Sequence, residues 1–325
     1  MTMQEVAQAL VAKPKGIFAA DESGGSTEKR FASYGIECTE ETRRQYRQLF
    51  FTTPEIEKYI SGVILFDETA RQLSDSGQPL RELLRDRGII PGIKVDKGLV
   101  PLPGFGEETI TSGLQGLSTR LDEYARMGLR FAKWRAALKI GDGTPSEAAI
   151  RENAAVLAQY ALECQQAGIV PIVEPEVMLE GDHTLDRCYH TLTAVLDEQF
   201  RQLDLLGVDR SACILKTSMA IAGSSSDEQQ VTEYTARATT DALHGHVPHD
   251  LAGIVFLSGG QTPEQATENL AAITQLGPHP WNITFSYSRA LQEPAIQAWL
   301  GKPENVPVAQ AAFLERVKAN SEAVA

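Results

Sequence analysis

The chain is predicted to be an α/β protein folded as one closed (β/α)8 barrel with its reactive groups at the C-terminal strand ends. Eight short, β-branched apolar runs recur along the sequence, and stretches of helical periodicity separate them. Strands that alternate with helices pair in parallel, and eight repeats over about 300 residues suit a barrel closed without edges. Seven of the eight runs also end in groups able to do acid-base or phosphate chemistry.

The runs are "GIFAAD" (16–21), "SGVILF" (61–66), "IPGIKVD" (90–96), "LRFAKWR" (129–135), "GIVPIVEPE" (168–176), "ACILKTS" (212–218), "GIVFLSGG" (253–260) and "WNITFSYS" (281–288). Residues 1–13 form a short amphipathic helix stopped by Pro14. In 149–166, apolar residues repeat at i, i+3, i+4 and i+7, as a helix packed on one face requires. Segment 239–245 has a similar character. Segment 263–277 opens on a Thr262 cap and closes at Gly277. A helical tail occupies 301–325. No linker divides the chain, so 1–325 is expected to be one catalytic domain. The alternative, an open doubly wound sheet, calls for G-x-G-x-x-G after the first strand. "AADESGGSTEKR" lacks that spacing.

Composition narrows the function. A formal charge of −13 argues against a nucleic-acid binder or an anionic-membrane binder, although a local basic pocket can still hold a small anion. No apolar run approaches a membrane span, and the first residues lack a signal peptide's apolar core. Cys38, Cys164, Cys188 and Cys213 are scattered, as reduced thiols in a cytoplasmic protein would be.

The run ends supply Asp21, Lys94 with Asp96, Lys133 with Arg135, Glu174 with Glu176, Lys216, Ser258-Gly259-Gly260, and Ser286 through Arg289. Only the second run, ending at Phe66-Asp67-Glu68, offers nothing to build on. Lys216 closes a buried strand, where an amine is costly to desolvate. A strand-end lysine can simply extend its amine to water. In a barrel mouth it can instead attack a carbonyl and form a Schiff base. That chemistry needs the neutral amine, favoured by a dry wall and by a positive neighbour such as Lys133. Glu174 and Glu176 share one face of their strand by the period-two rule, and a carboxylate beside a lysine can shuttle the proton needed to expel water. Asp21 either caps a following helix or acts on a substrate hydroxyl.

Cations at Lys29, Arg30, Lys94, Arg135 and Arg289 accompany hydroxyls at Ser23, Ser26, Ser258 and Ser286. Gly259-Gly260 leads into a helix N-terminus after strand seven, the usual phosphate position of this fold. Cation groups on both sides of Lys216 suit a substrate with a phosphate at each end. "HGHVPH" (His244, His246, His249) precedes strand seven and falls at the bottom face, so it reads as a solvated loop rather than a metal site. His183 is isolated, and the glycines of "PLPGFGEET" (101–109) read as turn punctuation.

With these residues in place, the sequence resembles the class I fructose-1,6-bisphosphate aldolases nearly end to end. The segments that carry the match are "AADESGGSTEKR", "GVILFDET", "PGIKVDKGLVPLPG", "FAKWRAALKI", "NAAVLAQYALECQQAGIVPIVEPE", "ILKTSM", "FLSGGQ" and "FSYSRALQ". The resemblance implies a cytoplasmic TIM barrel, usually a homotetramer, that cleaves a ketose bisphosphate with neither metal nor cofactor. It implies Lys216 as the Schiff-base lysine and Glu174 as general acid/base, with Lys133 and Glu176 as its partners. It implies Asp21 at the carbon-4 hydroxyl and Ser258, Gly259, Gly260, Ser286, Ser288 and Arg289 around one phosphate. Ser23, Ser26, Lys29, Arg30 and Lys94 line the path to the other end, with Arg135 in support. Alternatives are another Schiff-base sugar-phosphate enzyme of the transaldolase kind, expected to show a single phosphate site, or a non-catalytic barrel scaffold.

Three positions depart from the family pattern. Thr217 follows the lysine where proline is common. Ser288 stands where a glycine or other small residue is usual, so its side chain either crowds the phosphate or donates to it. The sequence ends at "ANSEAVA" without the longer tail and terminal tyrosine of animal enzymes, leaving another group or water to assist proton exchange on the enamine.

Overall fold

The computed structural model describes residues 1–325. Ten strands form in chain order: β1 (Gly16–Ala20), β2 (Ile60–Leu65), β3 (Ile90–Lys94), β4 (Leu99–Pro101), β5 (Thr109–Thr111), β6 (Phe131–Leu138), β7 (Val170–Val177), β8 (Ile214–Thr217), β9 (Gly253–Phe256) and β10 (Ile283–Tyr287). Eight of them close a parallel barrel in the order β1-β10-β9-β8-β7-β6-β3-β2. The remaining two, β4 and β5, pair as an antiparallel hairpin inserted after β3. That hairpin embraces the glycines expected to be mere punctuation, and three-residue strands are too short for periodicity to reveal.

Helices cover the outside and start where the caps direct. Thr262 and Gln265 form a reciprocal capping box ahead of the helix Pro263–Gln275, satisfying N–H groups that have no partner within the helix. Leu276 rather than Gly277 is the C-cap there. The periodic segment 149–166 lies in the helix Glu147–Gln166, and 239–245 lies in the helix Thr232–His246. The last helix spans Val306–Ala323.

The core has two parts. The larger lies between the strands' outer faces and the helices. The smaller fills the barrel's lower interior, where Val6, Leu10 and Val11 from the N-terminal segment meet Ala19, Ile64, Phe131, Ile172, Ile214 and Val255. The helix Met3–Leu10 thus plugs the bottom with its apolar face. Gly62 and Gly253 admit it: a Cβ on Gly62 would lie 2.5 Å from Leu10, and one on Gly253 2.7 Å from Val11.

This apolar layer decides what lies above it. Side chains on one face of a strand recur every second residue. Moving two residues up from Ala19, Phe131, Ile172 and Ile214 reaches Asp21, Lys133, Glu174 and Lys216. A dry floor therefore supports a cluster of four ionisable groups, while the same step from Ile64 and Val255 reaches the apolar Phe66 and Leu257. No helix is long and apolar enough to cross a membrane.

Candidate active site

Register brings the charged layer into contact. Arg135 of β6 aligns with Glu174 of β7, and Ile172 of β7 aligns with Ile214 of β8. Two residues further along, Glu174 faces Lys216. Its Oε1 lies 3.1 Å from the Lys216 Nζ, and its Oε2 lies 3.1 Å from the Lys133 Nζ. Lys133 also reaches Asp21 Oδ2 at 2.8 Å. Lys133, Glu174 and Lys216 are each only 3–4 % exposed. The positive neighbour expected for Lys216 is therefore present, but one carboxylate stands between the two amines.

The electrostatics follow from this packing. Burial by itself would raise the Asp21 carboxyl, but Lys133, Lys216 and Lys94 outweigh it and hold the group at about 2. Burial likewise acts to raise Glu174, and Lys133, Lys216 and Arg135 reverse the direction. For Lys133 burial favours the neutral amine, but Asp21, Glu174 and Asp96 prevail and keep it protonated. Lys133 is thus a fixed cation, with an ionised carboxylate on either side.

Asp21 makes this contribution to stability only while ionised. Its carboxyl ordinarily titrates at 3.8 and is depressed in the fold, so the stabilisation is complete above about pH 4 and disappears as pH falls towards 2. Denaturant titrations at stepped pH are expected to lose about 2 kcal/mol across that window. The Asp21→Asn variant should flatten this part of the profile, and an unchanged slope would exclude the assignment.

Asp21 does not cap the helix after β1. Ser23 does, through a hydrogen bond from the Ser26 N–H, which leaves Asp21 free to face inward. Beyond Asp21 a cleft of about 770 Å³ opens, lined by Ser23, Ser26, Lys94, Arg135 and the start of the β4–β5 hairpin. Lys94 pairs with Asp96, and Arg135 with Glu176. Arg135 is not at a strand end, since β6 continues to Leu138. The tilted mouth nevertheless leaves its side chain one third exposed and facing the cleft.

Lys29 and Arg30 do not line this cleft. Lys29 is exposed on the outer side of the helix Gly24–Ala32. Arg30 turns away to Glu22 at 2.6 Å and Gln292 at 2.7 Å. Both lie about a helical turn beyond Ser26, and Arg30 is taken up by Glu22 and Gln292, partners that proximity in sequence conceals. Conversely, the second run is not empty, because Phe66 and Asp67 belong to the cleft wall. Asp67 accepts a 3.0 Å hydrogen bond from Tyr124 and pairs with Arg71. Its position directly after a strand was the available sign.

On the other side of Lys216, Gly259 and Gly260 turn with φ of +58° and +96°. That left-handed geometry favours glycine. A Cβ on Gly260 would lie 3.5 Å from the Arg289 guanidinium. Ser258 and Ser286 are buried nearby in chain order, and the Ser286 hydroxyl has no protein partner. Ser288 neither crowds this cradle nor donates into it: its hydroxyl donates to Glu22 at 2.9 Å. Thr217 is fully buried and continues the ladder opposite Phe256, so the strand holds the lysine's aim without a proline.

The histidines near the bottom are engaged locally. His244 pairs with His279 at 3.0 Å, and His246 with Asp197 at 2.7 Å.

A closed parallel barrel with buried ionisable groups gathered at its C-terminal mouth defines a TIM-barrel enzyme. The model of the glycolytic family "Fructose-bisphosphate aldolase class-I" matches residues 2–325. A protein of Xanthomonas campestris named "Probable fructose-bisphosphate aldolase class 1" is 50% identical over 98% of this chain and 96% of its own. "Fructose-bisphosphate aldolase 4, cytosolic" of Arabidopsis thaliana is 50% identical over 95% of this chain and 79% of its own. A solved fructose-bisphosphate aldolase of Plasmodium falciparum, in complex with TRAP and a small-molecule inhibitor, superimposes with a TM-score of 0.98. It is 46% identical, over 99% of this chain and 93% of that one. The chain belongs to the class I fructose-bisphosphate aldolase family.

Proposed function

We propose that this enzyme cleaves and re-forms fructose 1,6-bisphosphate through a Schiff base on Lys216. The observation that carries the reading is Glu174, whose two oxygens each lie 3.1 Å from a buried lysine amine. Lys133 is held charged, so Lys216 is the amine that passes its proton to Glu174 and attacks the ketose carbonyl. The protonated Glu174 then returns a proton to the carbinolamine hydroxyl, which leaves as water. The resulting protonated imine draws electrons from the carbon 3–carbon 4 bond.

Asp21 removes the carbon-4 hydroxyl proton as that bond breaks, releasing glyceraldehyde 3-phosphate. Held at about 2, it is a weak base in the free enzyme. Its role therefore needs the bond-breaking step to supply an acidic proton and Lys133 to share the charge. The enamine left on Lys216 takes up a proton at carbon 3, and water releases dihydroxyacetone phosphate and the free amine. Gly259, Gly260, Ser258, Ser286 and Arg289 hold the carbon-1 phosphate. Ser23, Ser26 and Lys94 receive the other, with Lys94 exchanging its Asp96 partner for phosphate. Glu176 fixes Arg135 at the cleft wall. We also propose a cytoplasmic homotetramer, a state that light scattering measures directly.

Borohydride reduction in the presence of dihydroxyacetone phosphate is expected to inactivate the enzyme and leave one label, on the peptide containing Lys216. A label on another lysine, or retained activity with no label, would remove the proposal.

A further inference from the structure

Glu22 stands beside Asp21, and its carboxylate is enclosed by three donors. Arg30 approaches at 2.6 Å, Arg47 at 2.9 Å and the Ser288 hydroxyl at 2.9 Å. Burial acts to raise this carboxyl, and Arg47 and Arg30 overcome it, so the group is ionised. Gln292, fully buried one helical turn after Ser288, completes the network. It accepts from Arg30 and Tyr46 and donates to the Ala19 carbonyl and the Ser288 hydroxyl. The loop bearing Asp21 and Ser23 is thereby tied to the turn bearing Ser286 and Arg289.

Arg289, next in sequence to Ser288, is exposed and pairs with no carboxylate. Its guanidinium lies instead against Gly260. Arg30 and the Ser288 hydroxyl both meet Oε1 of Glu22, whereas Oε2 faces Arg47 without a hydrogen bond. The Ser288 hydroxyl also accepts from Gln292, so the residue just before Arg289 is held from two sides. Removing that hydroxyl would release the only side-chain bond from Ser288 to the β1 loop.

We propose that Ser288 is a positioning residue for the phosphate end of the site. By bonding Glu22 and accepting from Gln292, it fixes the start of the helix and aims Arg289 at the Gly259–Gly260 cradle. The inference rests on the reading of Arg289 as a phosphate ligand.

Inorganic phosphate, used as a competitive inhibitor of fructose 1,6-bisphosphate cleavage, tests it. In Ser288→Ala, the inhibition constant for phosphate and KM are expected to rise together by about 3- to 10-fold, with the effect on KM rather than kcat. Ser288→Thr keeps the hydroxyl and is expected to restore both constants to near the parent values. Arg289→Ala, measured alongside, should weaken phosphate more than either. If Arg289→Ala weakens phosphate and Ser288→Ala does not, the role of Ser288 is overturned while the phosphate site stands. Equal weakening in the Ala and Thr variants also overturns it, since the hydroxyl would then be irrelevant. An unaltered inhibition constant in Arg289→Ala would overturn the phosphate-site reading itself.

Discussion

Lys216→Met is expected to lower kcat/KM by roughly 10⁴-fold or more while the protein remains folded. On the proposed reading, the Lys216 amine makes the covalent bond. Lys133 is nearest in chemistry, but it sits between Asp21 and Glu174 and is held protonated. A methionine fills similar volume above the apolar floor of Ile214 and Val255. Glu174 retains Lys133 as a counter-ion, so no carboxylate is left isolated. Single-turnover measurements with fructose 1,6-bisphosphate should show no burst of glyceraldehyde 3-phosphate. Residual turnover within tenfold of the parent would mean that the nucleophile lies elsewhere.

Lys133→Met is expected to damage both stability and rate. Asp21 would lose its closest counter-ion, and Glu174 would keep only Lys216. Removing one member of a buried ion cluster costs about 3–5 kcal/mol, because the desolvated charge that remains has no compensation. Catalytic efficiency should fall by about 10²- to 10⁴-fold, the usual range for losing a group that assists proton transfer. The stability deficit has a diagnostic pH dependence. Without Lys133, the desolvation of Asp21 is opposed only by Lys216 and Lys94, so its carboxyl is expected to titrate higher than in the parent. The variant then loses less on acidification than the parent does, and its deficit is not expected to widen as pH falls from 7 to 5. Urea titrations of parent and variant at the two pH values measure this directly. A deficit that is small at pH 7, or that widens at pH 5, would show that Lys133 is not the cation on which the two carboxylates depend.

Much of this site was legible because barrel strands impose a simple rule. An inward-facing position recurs every second residue, and the fold gathers strand ends at one mouth. "FAKWR", "VEPE" and "ILKTS" therefore point to Lys133, Glu174 with Glu176, and Lys216 as inward-facing strand-end residues. The cases that failed are those in which another geometry intervened. Arg30 shares a helix face with Ser26, but its guanidinium is taken by Glu22 and Gln292, while Lys29 stays exposed. Asp67 joins the cleft wall beside Tyr124, a partner 57 residues further along the chain. Glu22 takes its partners Arg30, Arg47 and Ser288 from three separate segments, which no local pattern marks. Gln292 is an interior helix residue, and no local pattern marks it as a polar link.

The alternation that closes the barrel, the apolar floor, and the charged residues above that floor are all written in the order of the amino acids. These follow from local periodicity and from the cost of burying charge, both of which act within a few residues. Only the tertiary structure decided which partner each charge takes. Strand register made Glu174 the bridge between two lysines, and packing of the helix after β10 against the β1 loop gave Ser288 to Glu22 rather than to phosphate. Pairings between residues hundreds of positions apart depend on angstrom-scale register and tilt, and the fold alone sets those.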